Sequence, residues 1–244
     1  VDEISRLRGA TLSPDGTRVA GVIVEGSRAD VWLVDVDRGT ATRLTHTGIN
    51  ASPIWAADGR TVYYASRSDG VFSIWSRDTD GTRPATRLAA VDGSRHAFPV
   101  AVSSDGTMLA FLQTASGRRT DLWVLPLRGG PPRVIVSGPF DDSAASFSPD
   151  SRLVAFQSAD TGRWEICLQN LNDGRRIVVS TDGGERPFWT KDGLYFQSRG
   201  QLMRALIAAG DTMRVDGVTR IGDLEGGTLL GASPDGRILV QRNV

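Results

Sequence analysis

The chain has 244 residues, 40% of them hydrophobic, and its 28 Lys plus Arg are matched by 28 Asp plus Glu. The resulting zero formal charge excludes a nucleic-acid or anionic-membrane surface that works through bulk charge, and no apolar run is long enough to span a bilayer. Cys167 is the sole cysteine, so no intrachain disulfide can form, and a chain of this length can bury roughly 70% of its unfolded surface without one.

In chain order, Glu3–Arg8 comes first, then an apolar stretch and the turn Ser13-Pro14-Asp15-Gly16. Asp30–Val34 reads as a strand, Asp37-Arg38-Gly39 as a turn and Ala41–Thr45 as another strand. The next unit is the clearest. Pro53-Ile54-Trp55, Thr61–Ala65, Val71–Trp75 and Ala85–Ala89 are four short strands, rich in β-branched and aromatic residues and separated by Ala57-Asp58-Gly59, Arg67–Gly70 and Asp78–Gly81. Ser104-Asp105-Gly106, Asp121–Leu125, Arg128-Gly129-Gly130 and Arg133–Ser137 repeat the pattern, followed by Ser148-Pro149-Asp150-Ser151, Trp164–Leu168, Asn172-Asp173-Gly174 and Arg176–Ser180. Cys167 falls in strand Trp164–Gln169, where it reads as a small buried hydrophobe. Lys191-Asp192-Gly193 opens a fifth copy. Its Gln201–Ala209 carries apolar residues at helical spacing, yet the repeat position demands a strand. A sixth copy has Thr228–Ala232, Ser233-Pro234-Asp235-Gly236 and Arg237–Arg242.

The repeat aspartates stand at successive separations of 43, 47, 45, 42 and 43 residues. Four strands per period of this length predict an all-β fold, a six-bladed β-propeller of four-stranded antiparallel blades, forming a single domain over residues 1–244. The sixth copy supplies two strands only, so Glu3–Arg8 is expected to close the last blade and protect its edge. Proline presets the turn, aspartate bonds back to backbone amides and glycine takes the positive φ. Ser151 in place of glycine should weaken the fourth turn. Trp32, Trp75 and Trp123, and likewise Trp55, Phe147 and Trp189, recur at matching positions and read as packing between blades. Val1 is not a natural start, so an upstream segment is expected beyond this sequence.

On such a ring, loops entering the first strands and loops between second and third strands share one face. That places His46, Asn50, Arg95, His96, Phe140, Asp141, Asp142, Glu185, Arg186, Asp223 and Glu225 around one channel mouth, the expected binding site. No nucleophile elbow, phosphate loop or metal-ligand spacing is present. No cofactor is expected, with calcium on Asn50, Asp141, Asp142 or Glu185 as the variant considered.

Leu12-Ser13-Pro14-Asp15-Gly16, with Asp30–Asp35 and Thr42–Thr45, resembles the TolB-type, WD-like propeller repeat. Asp121–Leu127, Phe147–Phe156, Ser158–Gln169 and Val179–Gly184 resemble the C-terminal propellers of bacterial membrane-anchored Ser/Thr protein kinases, and the ending Ser233–Arg237 is similar to theirs. Propellers of prolyl-oligopeptidase-type enzymes are also similar. The resemblance implies an extracytoplasmic sensor or docking module, tethered through a region outside this sequence, and carries over no catalytic residue. The expectation is therefore a monomeric, non-catalytic module that binds a protein, peptide or small ligand, with no nucleic-acid partner and no membrane insertion. The alternatives are a metal-dependent propeller enzyme of the lyase or lactonase type, using carboxylates and His96, and a structural scaffold of the cell envelope.

Overall fold

Short strands separated by hairpin turns pair with their neighbours in sequence, and here they do so in repeating groups of four. The structure, a computed structural model, describes residues 6–67, 70–89, 95–115, 119–138, 141–209, 213–232 and 238–241. All of its regular elements are β-strands. Blade 1 holds β1 (Arg8–Leu12), β2 (Arg18–Glu25), β3 (Arg28–Asp35) and β4 (Ala41–Arg43); blade 2 holds β5 (Ile49–Trp55), β6 (Thr61–Arg67), β7 (Phe72–Asp78) and β8 (Thr86–Ala89). Blade 3 comprises β9 (Arg95–Val102), β10 (Met108–Ala115), β11 (Thr120–Pro126) and β12 (Arg133–Val136). Blade 4 comprises β13 (Asp142–Phe147), β14 (Leu153–Ser158), β15 (Glu165–Asn170) and β16 (Arg176–Val178). Blade 5 has β17 (Glu185–Thr190), β18 (Gly193–Ser198), β19 (Gln201–Ala209) and β20 (Met213–Asp223), and blade 6 has β21 (Thr228–Ala232) and β22 (Ile238–Gln241). Within every blade the pairing is antiparallel and sequential. One parallel bridge, Ala29 to Ile49, joins blades 1 and 2.

The first strand of each blade is innermost. β1 contacts β5, β5 contacts β9, and the series runs on through β13, β17 and β21 until β21 meets β1. The circuit closes. The core lies in the seams between blades. Ala110, Leu122 and Val124 of blade 3 pack on Phe147, Phe156 and Cys167 of blade 4. Leu153, Ile166 and Leu168 of blade 4 pack on Leu194, Phe196 and Ala205 of blade 5, with Trp189 against them. Trp55 and Trp75 belong to the seam of blades 1 and 2, and Trp123 to that of blades 2 and 3. Trp55, Trp75, Trp123, Phe147 and Trp189 are inter-blade packing, as the sequence suggests, whereas Trp32 packs on Leu7, Val19 and Val34 of its own blade, and Cys167 is buried.

The Asp turns sit between first and second strands. Ser13 Oγ donates to Asp15 Oδ1 at 2.6 Å, Thr17 N–H donates to the same oxygen at 3.0 Å, and Arg18 N–H donates to Ser13 Oγ at 2.9 Å. Ser103, Asp105 and Thr107 repeat this arrangement, and so do Ser148, Asp150 and Arg152. The Ser13 hydroxyl, then the Thr17 amide, hold the Asp15 carboxyl down to about 2. The sixth turn, 233–236, lies outside the described residues.

One difference from the sequence reading has a physical cause. The fourth strands in blades 1 and 4 end two residues early. Leu44 and Thr45 N–H both turn to Val31 O, and Val179 and Ser180 N–H both turn to Ile166 O. There the Thr45 hydroxyl donates to Asp30, and the Ser180 hydroxyl to Glu165, clasping the strand end onto the third strand. Gln201–Ala209 is a strand despite its helical spacing because β18 and β20 pair with it on both edges, and Leu206 of its apolar set is left exposed. Met203, Ala205 and Ile207 face blade 4, while Leu202 joins the seam with blade 6. Of the expected closing strand Glu3–Arg8, residues 3–5 lie outside the described residues and Arg8 already belongs to β1. Leu7 is buried over Gly21, where a Cβ would come within 2.9 Å of its Cδ2.

Candidate functional site

Each innermost strand carries one residue more than its partner over the same stretch. Arg8 and Thr11 pair with Val22 and Ala20 in blade 1, and Ala51 and Ile54 with Ala65 and Tyr63 in blade 2. Equivalent register shifts occur at Val100, Ala144, Arg186–Pro187 and Leu230. A bulge re-aims side chains and frees a stretch of backbone from the ladder. Here it is repeated around the whole ring. Six residues before the repeat Asp stand Gly9, Ser52, Pro99, Ala144, Arg186 and Leu229. Four of them take left-handed backbone, with φ of 58° at Gly9, 50° at Ser52, 37° at Ala144 and 55° at Arg186. Proline cannot adopt that conformation, and in blades 3 and 6 the bulge falls one residue later.

These bulges wall a cavity of about 240 Å³ on the ring axis, to which all six innermost strands contribute. Its lining is mainly apolar and includes Ile54, Pro99, Val100, Phe188 and Leu230. Among the described residues Arg186 is the one charged side chain in that lining. Its backbone N–H donates to Gln157 Oε1 of the preceding blade at 2.9 Å, which braces the left-handed turn. Leu229 N–H is held in the same way by Gln197 Oε1 at 3.1 Å. Among the described residues Arg186 forms no ion pair.

The remaining expected mouth residues do not converge on this cavity. Asn50 and Asp142 are each eight residues before their repeat Asp, a position that is buried in all six copies: Leu7, Asn50, Ala97, Asp142, Gly184 and Gly227. Two of the expected mouth residues are therefore corrected to interior ones. The Asn50 amide donates to Ala29 O, Thr45 Oγ1 and Thr47 O, bracing the clasp of blade 1. Burial pushes Asp142 up to about 6; the Ser158 hydroxyl and Arg176 oppose the rise, and Asp160 and Asp121 add repulsion. Arg95 pairs with Asp121 at 3.8 Å. His96 packs among Phe72 and Phe98, and its Nδ1 accepts the Phe72 N–H at 3.2 Å. Asp141 accepts the Thr120 N–H at 3.2 Å. His46 is exposed, and its carbonyl accepts the Arg28 guanidinium. Glu185 lines an outer cleft with Arg163 and Arg199, Asp223 pairs with Arg220 at 2.5 Å, and Glu225 sits in the left-handed turn before β21. Phe140 lies outside the described residues. Among the described residues no three His, Cys, Asp or Glu gather as metal ligands, and no helix is long and apolar enough to cross a membrane.

No family profile matches the chain. Over 212 residues it is 31% identical to the tricorn protease homolog 1 of Streptomyces coelicolor, a match covering 77% of this chain and 19% of that protein. A 71-residue stretch is 37% identical to the uncharacterized protein Atu1656 of Agrobacterium fabrum, covering 29% of this chain and 24% of that one. The chain thus spans about a fifth to a quarter of the curated relatives it matches. Among solved structures, a TolB-type protein of Agrobacterium tumefaciens superposes with a TM-score of 0.72 at 15% identity, over 95% of this chain and 87% of the other. An oligogalacturonate lyase of Vibrio parahaemolyticus gives 0.66 at 14% identity, over 92% and 67%. The fold is that of the TolB-like β-propellers. At these identities the likeness is one of architecture, shared by binding proteins and enzymes alike.

Proposed function

We propose that this propeller is a non-catalytic binding module, with its recognition site at the axial cavity rather than spread around the mouth loops. The observation that supports it is the ring of bulges. Six strands deform at one level around an apolar cavity with a single charge in its wall among the described residues. A concave, mainly apolar site with few polar groups is the usual form of a ligand pocket. The ligand is a protein segment, a peptide or a small molecule. In a longer parent the module passes binding on to an attached domain. The resemblance to TolB-like propellers favours a place outside the cytoplasm and a protein or peptide partner.

The test is to fill the cavity from its wall while unfolding reports on the seam of blades 3 and 4, against which Val100 packs. Val100 lines the cavity and is half-buried; Val100→Trp should abolish binding to envelope-extract peptides immobilised on beads while thermal unfolding stays cooperative. Undiminished binding by a folded Val100→Trp variant would overturn the channel as the site.

A further inference from the structure

The ring of residues six before each repeat Asp is small on most sides. Gly9, Ser52 and Ala144 leave space, Pro99 is compact, and Leu229 is only 1% exposed. Arg186 is the member of that ring that can reach into the cavity with a charge. Blade 2, with Ser52, lies three blades away across the ring, and both residues line the cavity. The backbone at Arg186 is left-handed, as it is at Ser52 and Ala144, a conformation that is strained for an L-residue. Blade 1 fills the equivalent position with Gly9, which takes the same conformation freely. Local geometry alone therefore favours glycine at 186, and the arginine has no partner among the described residues to account for it.

We propose that Arg186 is a carboxylate anchor. The channel takes the end of an extended ligand, and the ligand's terminal carboxylate pairs with the guanidinium while its adjoining apolar part lies against Pro99, Val100 and Leu230. This rests on the channel being the binding site. Three arguments fix the chemistry. A guanidinium presents a planar fork that matches a carboxylate through two hydrogen bonds. The apolar lining beside it receives the ligand's apolar part, while Arg186 itself is exposed, so the pair weakens as salt is raised. The cavity volume of about 240 Å³ is below the usual range of roughly 300–1,000 Å³ for drug-sized ligands, so it suits a chain end or a small acid rather than a bulky compound. A peptide C-terminus and a free small carboxylic acid share this chemistry.

The experiment uses the whole chain on two peptide arrays of identical random tetrapeptides, one ending in free carboxylates and one in C-terminal amides, with succinate as a separate small-acid probe. The expected result is binding to the free-acid array at least about tenfold tighter than to the amide array. Arg186→Gly should bring the two to parity while melting no lower than the parent, because glycine relieves the left-handed backbone. Arg186→Lys should keep part of the preference. Succinate binding as tightly as the best peptide would identify the source as a small acid. Equal binding to acid and amide arrays, blocked by Val100→Trp, would overturn the anchor and leave the channel reading standing. No binding to either array or to succinate would overturn both.

Discussion

The turn ring and the bulge ring repeat with the same period but differ in what they repeat. At the turns, geometry and residue recur together: Asp15, Asp105 and Asp150 accept the same serine hydroxyl and the same amide two residues on. Along the channel only the geometry recurs. The bulge is present in every blade, yet its residues run from Gly9 through Ala144 to Arg186. Where side chain and backbone are both fixed, the position carries the fold. Where the backbone is fixed and the side chain is not, the scaffold offers a place at which chemistry can change at little cost to stability.

The largest test of that division is at the clasps, which belong to the scaffold. Glu165 is 2% exposed and accepts Ser180 Oγ, Arg163 Nε at 2.6 Å and the Gly183 N–H at 3.1 Å. Burial alone would raise its carboxyl, but these donors outweigh it and hold it below the usual range. Glu165→Ala strands a buried hydroxyl and amide and should cost about 2–3 kcal/mol in urea unfolding. A loss near that of Arg186→Gly, close to zero, would erase the contrast between clasp and channel.

A smaller effect is expected at Asp142, which stands where blade 2 has Asn50. Asn50 donates to the clasp of the blade before it, whereas Asp142 places a carboxylate near Asp121 and Asp160. Because its folded value of about 6 lies above the unfolded value near 3.9, the folded state retains the proton longer. Stability falls as pH rises from about 4 to about 6 and is level above that. Asp142→Asn restores the amide found in blade 2 and should raise Tm by on the order of 3 °C at pH 7.5, with the gap to the parent closing by pH 4. A gap that is constant with pH would show that proton retention at Asp142 is not the cause.

The sequence carried the blades because each turn signal is local: proline, aspartate and glycine act within four residues. The channel was less legible. Loop assignment put Asn50 and Asp142 at the mouth, but burial at that position depends on the preceding blade, about 20 residues away in sequence. A stronger signal was present in the six residues at that offset, Leu7, Asn50, Ala97, Asp142, Gly184 and Gly227, which are mostly small or apolar. The bulges have no turn signature, since Ser52, Ala144 and Arg186 do not announce a positive φ, and only Gly9 matches the backbone it adopts.

The smallest effect sharpens the comparison most, because it moves a turn toward its own consensus within this chain. Ser151 occupies the place of Gly16, Gly59 and Gly106 with a φ of 59°, against 71°, 67° and 66° for the glycines. Its backbone bonding is the same, with Ser151 N–H donating to Ser148 O at 2.9 Å where Gly16 N–H donates to Ser13 O at 2.9 Å. Ser151→Gly should therefore remove left-handed strain of about 1 kcal/mol and return part of it through the more flexible unfolded chain. The net gain should be below about 1 kcal/mol by urea unfolding, with peptide-array binding unchanged. Arg186→Gly makes the same backbone exchange at the channel and should lose binding instead. If both substitutions alter stability alike but neither alters binding, the bulge ring is as purely architectural as the turn ring.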